Sequence, residues 1–318
     1  MALSGLRKTM NARWSVRPYG ETDFDGCLHL NEEAARAWRR HHCTSAESLA
    51  ERHRHPNFCP ETDLFVATQG DGMVAAYVEV RPELDIGRAV LWYLVHHECL
   101  DEDLVSCLLD RACDRAAGMG ASSAHVNVPE DDDWMRTALA SHEFVPIRRF
   151  LELRLKMRPA RRSEALRDRG LTCRCLQRGE EAELVELQNR CFSGTWGYNP
   201  TTTEEVTYRL NLGDCSHDGV FVLRERGEPV AYCWTTAEVG PSEGLGFGRV
   251  YMIGVDPARR GHRLGTRVLR VGLSYLAEKG ARSVELTVDA ENLEARRLYE
   301  SAGFRPCTAG LWYERRIT

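Results

Sequence analysis

Val250-Tyr251-Met252-Ile253-Gly254-Val255-Asp256-Pro257, followed after Ala258 by Arg259-Arg260-Gly261-His262-Arg263-Leu264-Gly265-Thr266, decides how this chain is read. The apolar run is a buried strand that ends at Pro257, whose missing N–H cannot continue a sheet ladder. Beyond the glycines, Leu264, Val268, Val271, Tyr275 and Leu276 recur at helical spacing and share one face. A strand, a glycine-containing loop and a helix N-terminus together form an anion cradle. The first N–H groups of the helix lack partners, its dipole favours negative charge, and glycine lets a phosphate approach the backbone. Arg259, Arg260, Arg263 and Arg267 add charge. No Gly-Lys-Ser/Thr follows, which excludes a Walker loop, and the spacing does not fit a dinucleotide GxGxxG fingerprint. Taken alone, the arginine run is a solvated basic turn before a helix.

A second element lies downstream, Asn292-Leu293-Glu294-Ala295-Arg296-Arg297-Leu298-Tyr299-Glu300-Ser301-Ala302-Gly303-Phe304. Asn292 caps a short helix, Ala295, Leu298, Tyr299 and Ala302 share a face, and Gly303 ends it. Joined at this spacing, the two elements resemble the GNAT superfamily of N-acyltransferases, most specifically over residues 250–306 and more softly upstream to Thr172. The resemblance implies a mixed, mostly antiparallel twisted sheet flanked by helices, with acetyl-CoA as co-substrate. It implies cofactor contacts at Ile253, Gly254, Val255, Arg260, Gly261, His262, Arg263, Leu264, Gly265, Thr266 and Asn292. Tyr299 takes the place of the acid that protonates the departing thiolate. The usual middle glycine of the loop is Arg263 here; it keeps its backbone N–H and adds a cation.

The chain repeats itself. Ser15-Val16-Arg17-Pro18, an acidic turn and a helix through Leu28 and Leu30 match Thr172-Cys173-Arg174-Cys175, Glu180 and Glu181, and a helix through Leu184 and Leu187. Hairpins follow at residues 63–78 and 219–234. Later, Gly120, Ser141, Phe144 and Pro146 match Gly280, Ser301, Phe304 and Pro306 at a constant offset of 160. Strand and helix signals in this order describe an α/β domain present twice, that is, two tandem GNAT-like domains. The boundaries expected are a degenerate domain over 1–157, a charged, proline-containing linker over 158–170, and a catalytic domain over 171–318.

At the same offset Arg260, Gly261, His262 and Arg263 become Leu100, Asp101, Glu102 and Asp103. Three carboxylates stand where a pyrophosphate would have to sit. Asn292, Tyr299 and Gly303 become Asp132, Leu139 and Glu143. The first copy is therefore expected to keep the fold and bind no acyl-CoA.

Composition narrows the partners. Hydrophobic residues at 43% supply a core, and a net charge of −5 gives no reason to expect a nucleic-acid partner. No run approaches the roughly 18 apolar residues of a membrane span, and no apolar stretch follows Arg7, Lys8 and Arg13, so neither membrane nor signal peptide is expected. Twelve scattered cysteines without a CxxC pair read as reduced thiols in the cytoplasm. His41, His42, Cys43, His53, His55 and Cys59 fit no zinc spacing and lie among arginines, so no metal is expected.

The chemistry expected is transfer of an acetyl group to the primary amine of a small molecule by direct attack, in a monomer or homodimer. The alternative is an acyl-CoA-binding sensor or scaffold without turnover. Backbone groups at 253–255 serve the pantetheine arm and the oxyanion, and a bulge is expected at Gly254. Glu238, Glu243 and Glu285 are the carboxylates near enough to be a base. The acceptor belongs beneath Cys191–Pro200, where Phe192 and Trp196 fit either a shaped pocket or the core. The tandem layout, with Gly254–Pro257 and Asp289–Asn292, resembles the mycothiol synthases, which acetylate a cysteinyl amine. That resemblance places a glutamate base immediately before the Val-Tyr pair. Here the residue is Arg249, which points to an acidic acceptor or to an added contact with cofactor phosphate.

Overall fold

The computed structural model describes residues 13–37, 45–70, 72–157, 170–238 and 246–317. The expected linker, Gly170 apart, lies outside the described residues, as do His41, His42, Cys43 and Glu243. Two compact units emerge: Met1–Val128 with Asp132–Pro146 and Tyr313–Thr318, and Pro129–Asp131 with Ile147–Trp312.

The first copy runs β1 (Ser15–Pro18), α1 (Phe24–Ala37), α2 (Ala46–His53), α3 (Pro60–Asp63), β2 (Leu64–Thr68), β3 (Val74–Glu83), β4 (Arg88–Val95), α4 (Glu102–Gly118), β5 (Ser123–Pro129), α5 (Asp133–Ser141) and β6 (Val145–Lys156). The second runs β7 (Leu171–Cys175), α6 (Glu181–Phe192), α7 (Thr203–Leu210), β8 (Val220–Glu225), β9 (Glu228–Glu238), β10 (Gly246–Val255), α8 (Leu264–Glu278), β11 (Ala281–Asp289), α9 (Leu293–Ala302) and β12 (Arg305–Arg316). Both expected hairpins are present, as β2–β3 and β8–β9. Gly120 and Gly280 end α4 and α8 at φ +92° and +88°, the left-handed stop that the repeat implied.

Each unit is a mixed, mostly antiparallel sheet flanked by helices. In the first unit β1 to β5 lie in chain order, antiparallel until β4 meets β5 in parallel. In the second unit the order is β7-β8-β9-β10-β11-β6, with β12 beyond, and β10–β11 is the parallel pair. β6, the final strand of the first repeat, thus pairs along β11 from Lys156 opposite Ser283 to Phe150 opposite Asp289.

Two cores flank the second sheet. On one face Val268, Leu269 and Leu276 of α8 pack on Leu153, Val250, Val284 and Leu286. On the other, Leu184, Leu187 and Cys191 of α6 and Val206 and Leu210 of α7 pack on Val222, Tyr232 and Trp234. The eleven described cysteines are all free thiols. No helix among the described residues is long and apolar enough to cross a membrane.

Candidate active site

The site begins where two strands part. β10 and β11 pair from Gly246 opposite Ala281 to Arg249 opposite Glu285, and the register stops there. Beyond it β10 follows β9 to Val255, while β11 follows β6 to Asp289. The backbone of 250–255 on the β11 side is released from the ladder, and its N–H and C=O groups must find other partners. A cleft between two parallel strands can take an extended arm by strand-like hydrogen bonds.

The expected bulge exists, but not at Gly254. The extra residue is Tyr251, between Val250 opposite Thr235 and Met252 opposite Trp234. Gly254 is required for another reason: a Cβ there would meet Tyr232 at 2.7 Å and the Cβ of Cys191 at 2.9 Å. It lets α6 sit directly on β10. Burial pushes the Cys191 thiol up to about 12, so this sulfur stays protonated and packs.

Past Val255, the Asp256 carboxylate accepts the Ala258 N–H and also pairs with Arg190. Gly261 follows at φ +82° and Arg263 at φ +57°. Arg263 is the N-cap of α8 and gives it no side-chain acceptor. The first-turn N–H groups of α8 therefore face outward without a cap, which is the requirement of an anion cradle. Gly265 lets α9 close on this turn, since a Cβ there would lie 3.3 Å from Leu298. The arginines are not all aimed at an anion. Arg260 donates to the Cys191 carbonyl at 3.0 Å, capping α6, and Arg259 pairs with Glu225. His262 Nδ1 lies 2.9 Å from the Arg260 carbonyl oxygen.

Ile253 and Val255 pack against the α8 core, and Leu264 is buried within it. Thr266 lies half-buried in the first turn of α8. Asn292 caps α9 by accepting the Ala295 N–H at 3.0 Å. Tyr299 is buried on α9, edge-on to Phe304 with ring centroids 6.0 Å apart, among Leu264, Val268 and Cys233. Burial pushes its phenol well above the ordinary value.

The first unit differs at the corresponding helix start. β4 leaves β5 after Leu91, as β10 leaves β11. Asp101 is the N-cap of α4, and its carboxylate accepts the N–H groups of Asp103 and Leu104. The cradle is filled by the chain's own anion. Tyr93, Val95, Leu108, Met135 and Leu139 close round a cavity of about 10 Å³, room for roughly one water. Asp132 caps α5 as Asn292 caps α9, so the cap alone does not distinguish the copies.

On the face opposite α8, the second sheet carries a polar trough. Glu285, Thr287 and Asp289 alternate with core residues on β11, and Arg154, Glu152 and Phe150 stand beside them on β6. Glu285 is buried and ion-paired with Arg154, which denies it the freedom of a base. Arg148 holds Asp289 at 2.7 Å and lies over the Trp196 ring. Trp196 packs with Phe150 and Trp312 at centroid distances of 5.8 and 6.1 Å, whereas Phe192 joins the α6 core. The two aromatics, equivalent in sequence, thus separate into a trough wall and a core residue. Arg209 of α7 covers the Tyr251 ring at 4.6 Å. The contribution of β6 was not assigned from sequence; the polar–apolar alternation of 148–156 was the available signal.

Near the expected zinc-free cluster, His53 is enclosed by the rings of Tyr19, Phe24 and Phe58, and His55 accepts the Asn57 N–H.

A parted parallel strand pair, an uncapped helix start and a buried phenol on the following short helix thus lie together in the second unit. Residues 182–304 match the model of the Acetyltransferase (GNAT) family. The mycothiol acetyltransferase of Stackebrandtia nassauensis is 28% identical over 301 residues, covering 91% of this chain and 94% of the relative. That of Thermomonospora curvata is 28% identical over 246 residues, covering 77% and 80%. Two solved structures share the fold: a tandem GNAT protein from the clavulanic acid biosynthesis pathway (TM-score 0.75, 17% identity, 96% and 99% of the chains covered) and a GCN5-related N-acetyltransferase from Sphaerobacter thermophilus (TM-score 0.74, 19% identity, 96% of each). Residues 182–304 carry an acyl-CoA-dependent N-acyltransferase domain of the GNAT type, in a chain similar over 91% of its length to a mycothiol acetyltransferase.

Proposed function

We propose that the second copy transfers an acetyl group from acetyl-CoA to the primary amine of a small molecule by direct attack. The uncapped α8 N-terminus carries this reading: Arg263 leaves the first-turn N–H groups to the pyrophosphate, with the loop 260–266 around it. Ile253, Gly254 and Val255 offer backbone partners to the pantetheine arm, and Asn292 fixes the helix that bears Tyr299. The amine nitrogen bonds the thioester carbon, the C–S bond breaks, and Tyr299 gives its proton to the leaving thiolate. The proton lost by nitrogen returns through water to the phenolate. Cys191, protonated and packed, supports direct attack over an acyl-enzyme through that sulfur. The first copy, whose cradle is filled by Asp101, takes no part in binding.

Thiol release from acetyl-CoA over an amine panel tests this. Tyr299→Phe should lower kcat about 100-fold with cofactor affinity retained, and calorimetry should count one acetyl-CoA per chain. Because burial raises the phenol, it stays protonated, and no alkaline loss of rate traceable to it should appear below about pH 10. Equal rates for both proteins, or two bound cofactors, would overturn the assignment.

A second acceptor class, a cysteinyl amine of the mycothiol type, is favoured by relatives named mycothiol acetyltransferases that span nearly the whole chain.

A further inference from the structure

Among the described residues of the trough, one cation has no carboxylate partner. Arg148 is held by Asp289 and Glu291, and Arg154 by Glu285. Arg249, the last residue of β10 paired to β11, bonds through Nη2 to Thr287 Oγ1 at 2.6 Å. Among the described residues no carboxylate stands within ion-pair distance of it. It is half-buried and lies opposite Gly248 and Val250, which face α8. A second guanidinium approaches from α7. Arg209 stacks on Tyr251, reaches Asp214 with one Nη at 3.1 Å, and buries an Nε that meets no acceptor. Arg209 and Arg249 thus both lie on the face of β10 that carries Tyr251, opposite α8.

Cofactor phosphate cannot be their partner. Six residues separate Arg249 from Asp256, about 23 Å at strand rise, and the cradle belongs to α8 on the other face. The contact with cofactor phosphate considered for Arg249 is therefore excluded, and the partner must come with the acceptor.

Resting on the acetyltransferase reading, we infer that the acceptor is an anionic amine, a primary amine bearing a carboxylate that Arg249 receives with Arg209 beside it. Arg249 gives one Nη2 hydrogen to Thr287 and keeps the other, which with an Nη1 hydrogen makes an end-on, two-point grip on a planar carboxylate. The same cations disfavour a neighbouring ammonium, so the bound amine sheds its proton more readily to water. This offsets the want of a free carboxylate base, since Glu285 is committed to Arg154. A neutral cysteinyl amine of the mycothiol type lacks the group that this site is charged to hold.

The test uses matched acceptors with the full chain: cysteine against cysteinamide, β-alanine against its amide, and further amino acids against theirs. Wild type should favour the carboxylate of a pair at least tenfold in kcat/KM. Arg249→Met should erase that preference by slowing only the carboxylates, and Arg249→Lys should restore part of it. Equal rates within the pairs, or an equal slowing of both members by Arg249→Met, would overturn the inference. Calorimetry of the N-acetylated carboxylates on CoA-loaded protein reads the same contact without turnover, with binding expected in wild type and lost in Arg249→Met. Absence of binding in wild type would overturn the inference. Carboxylate binding at Arg249 without any thiol release would uphold it and sink the acetyltransferase reading alone.

Discussion

Arg263 occupies a conformation that an L-residue enters at a cost of about 1 kcal/mol. Its side chain is exposed and makes no cap, so the residue contributes to the helix start through its backbone alone. Arg263→Gly should therefore raise the unfolding free energy by about 1 kcal/mol and leave acetyl-CoA affinity within a few-fold, as read by urea unfolding and calorimetry. A drop in stability would show that the arginine holds something other than strain. The arginine in place of the usual glycine was visible in the sequence, but its meaning was not, because φ is not written in a residue name. The same holds for Arg260. A cation in a phosphate loop suggests a phosphate contact, yet its guanidinium reaches a helix C-terminus sixty-nine residues earlier in the chain.

At the scale of elements, β10 was legible as a strand and α8 as a helix because each keeps one strong period over its length. The bulge was misplaced because a glycine in a strand has two explanations, an irregular ladder or a close approach, and only packing chooses between them. Gly254 serves the approach of α6. Gly254→Ala should cost about 1–3 kcal/mol by driving Tyr232 and Cys191 apart. Thermal unfolding measures it, and no fall in Tm would refute this account of the residue. The contrast between α4 and α8 was legible in kind but not in mechanism. Three carboxylates mark the first helix start as different; the structure adds that one of them, Asp101, caps the helix. Arg249 was noticed for its charge, while its isolation emerged only when its strand neighbours could be counted.

For the whole molecule, the repeat was plain and the trade of strands was hidden, since pairing between distant segments leaves no local period. β6 ends the first repeat, yet from Ile147 onward it belongs to the second unit and brings Arg148, Phe150 and Arg154 to the trough. A fragment of residues 171–318 lacks that strand and leaves the β11 edge bare. It should aggregate or bind acetyl-CoA poorly, while a fragment of residues 145–318 should stay folded and bind it. Light scattering and calorimetry on the two fragments decide the matter, and full affinity in the shorter one would refute the dependence.

That dependence bears on heredity. A duplicate that has lost its chemistry is ordinarily free to decay, since selection no longer sees it. Here the last strand of the first repeat forms part of the wall against which the acceptor proposed for the second would lie. Changes in the first half of the gene can then retune the reaction of the second, and the two halves must be inherited as one.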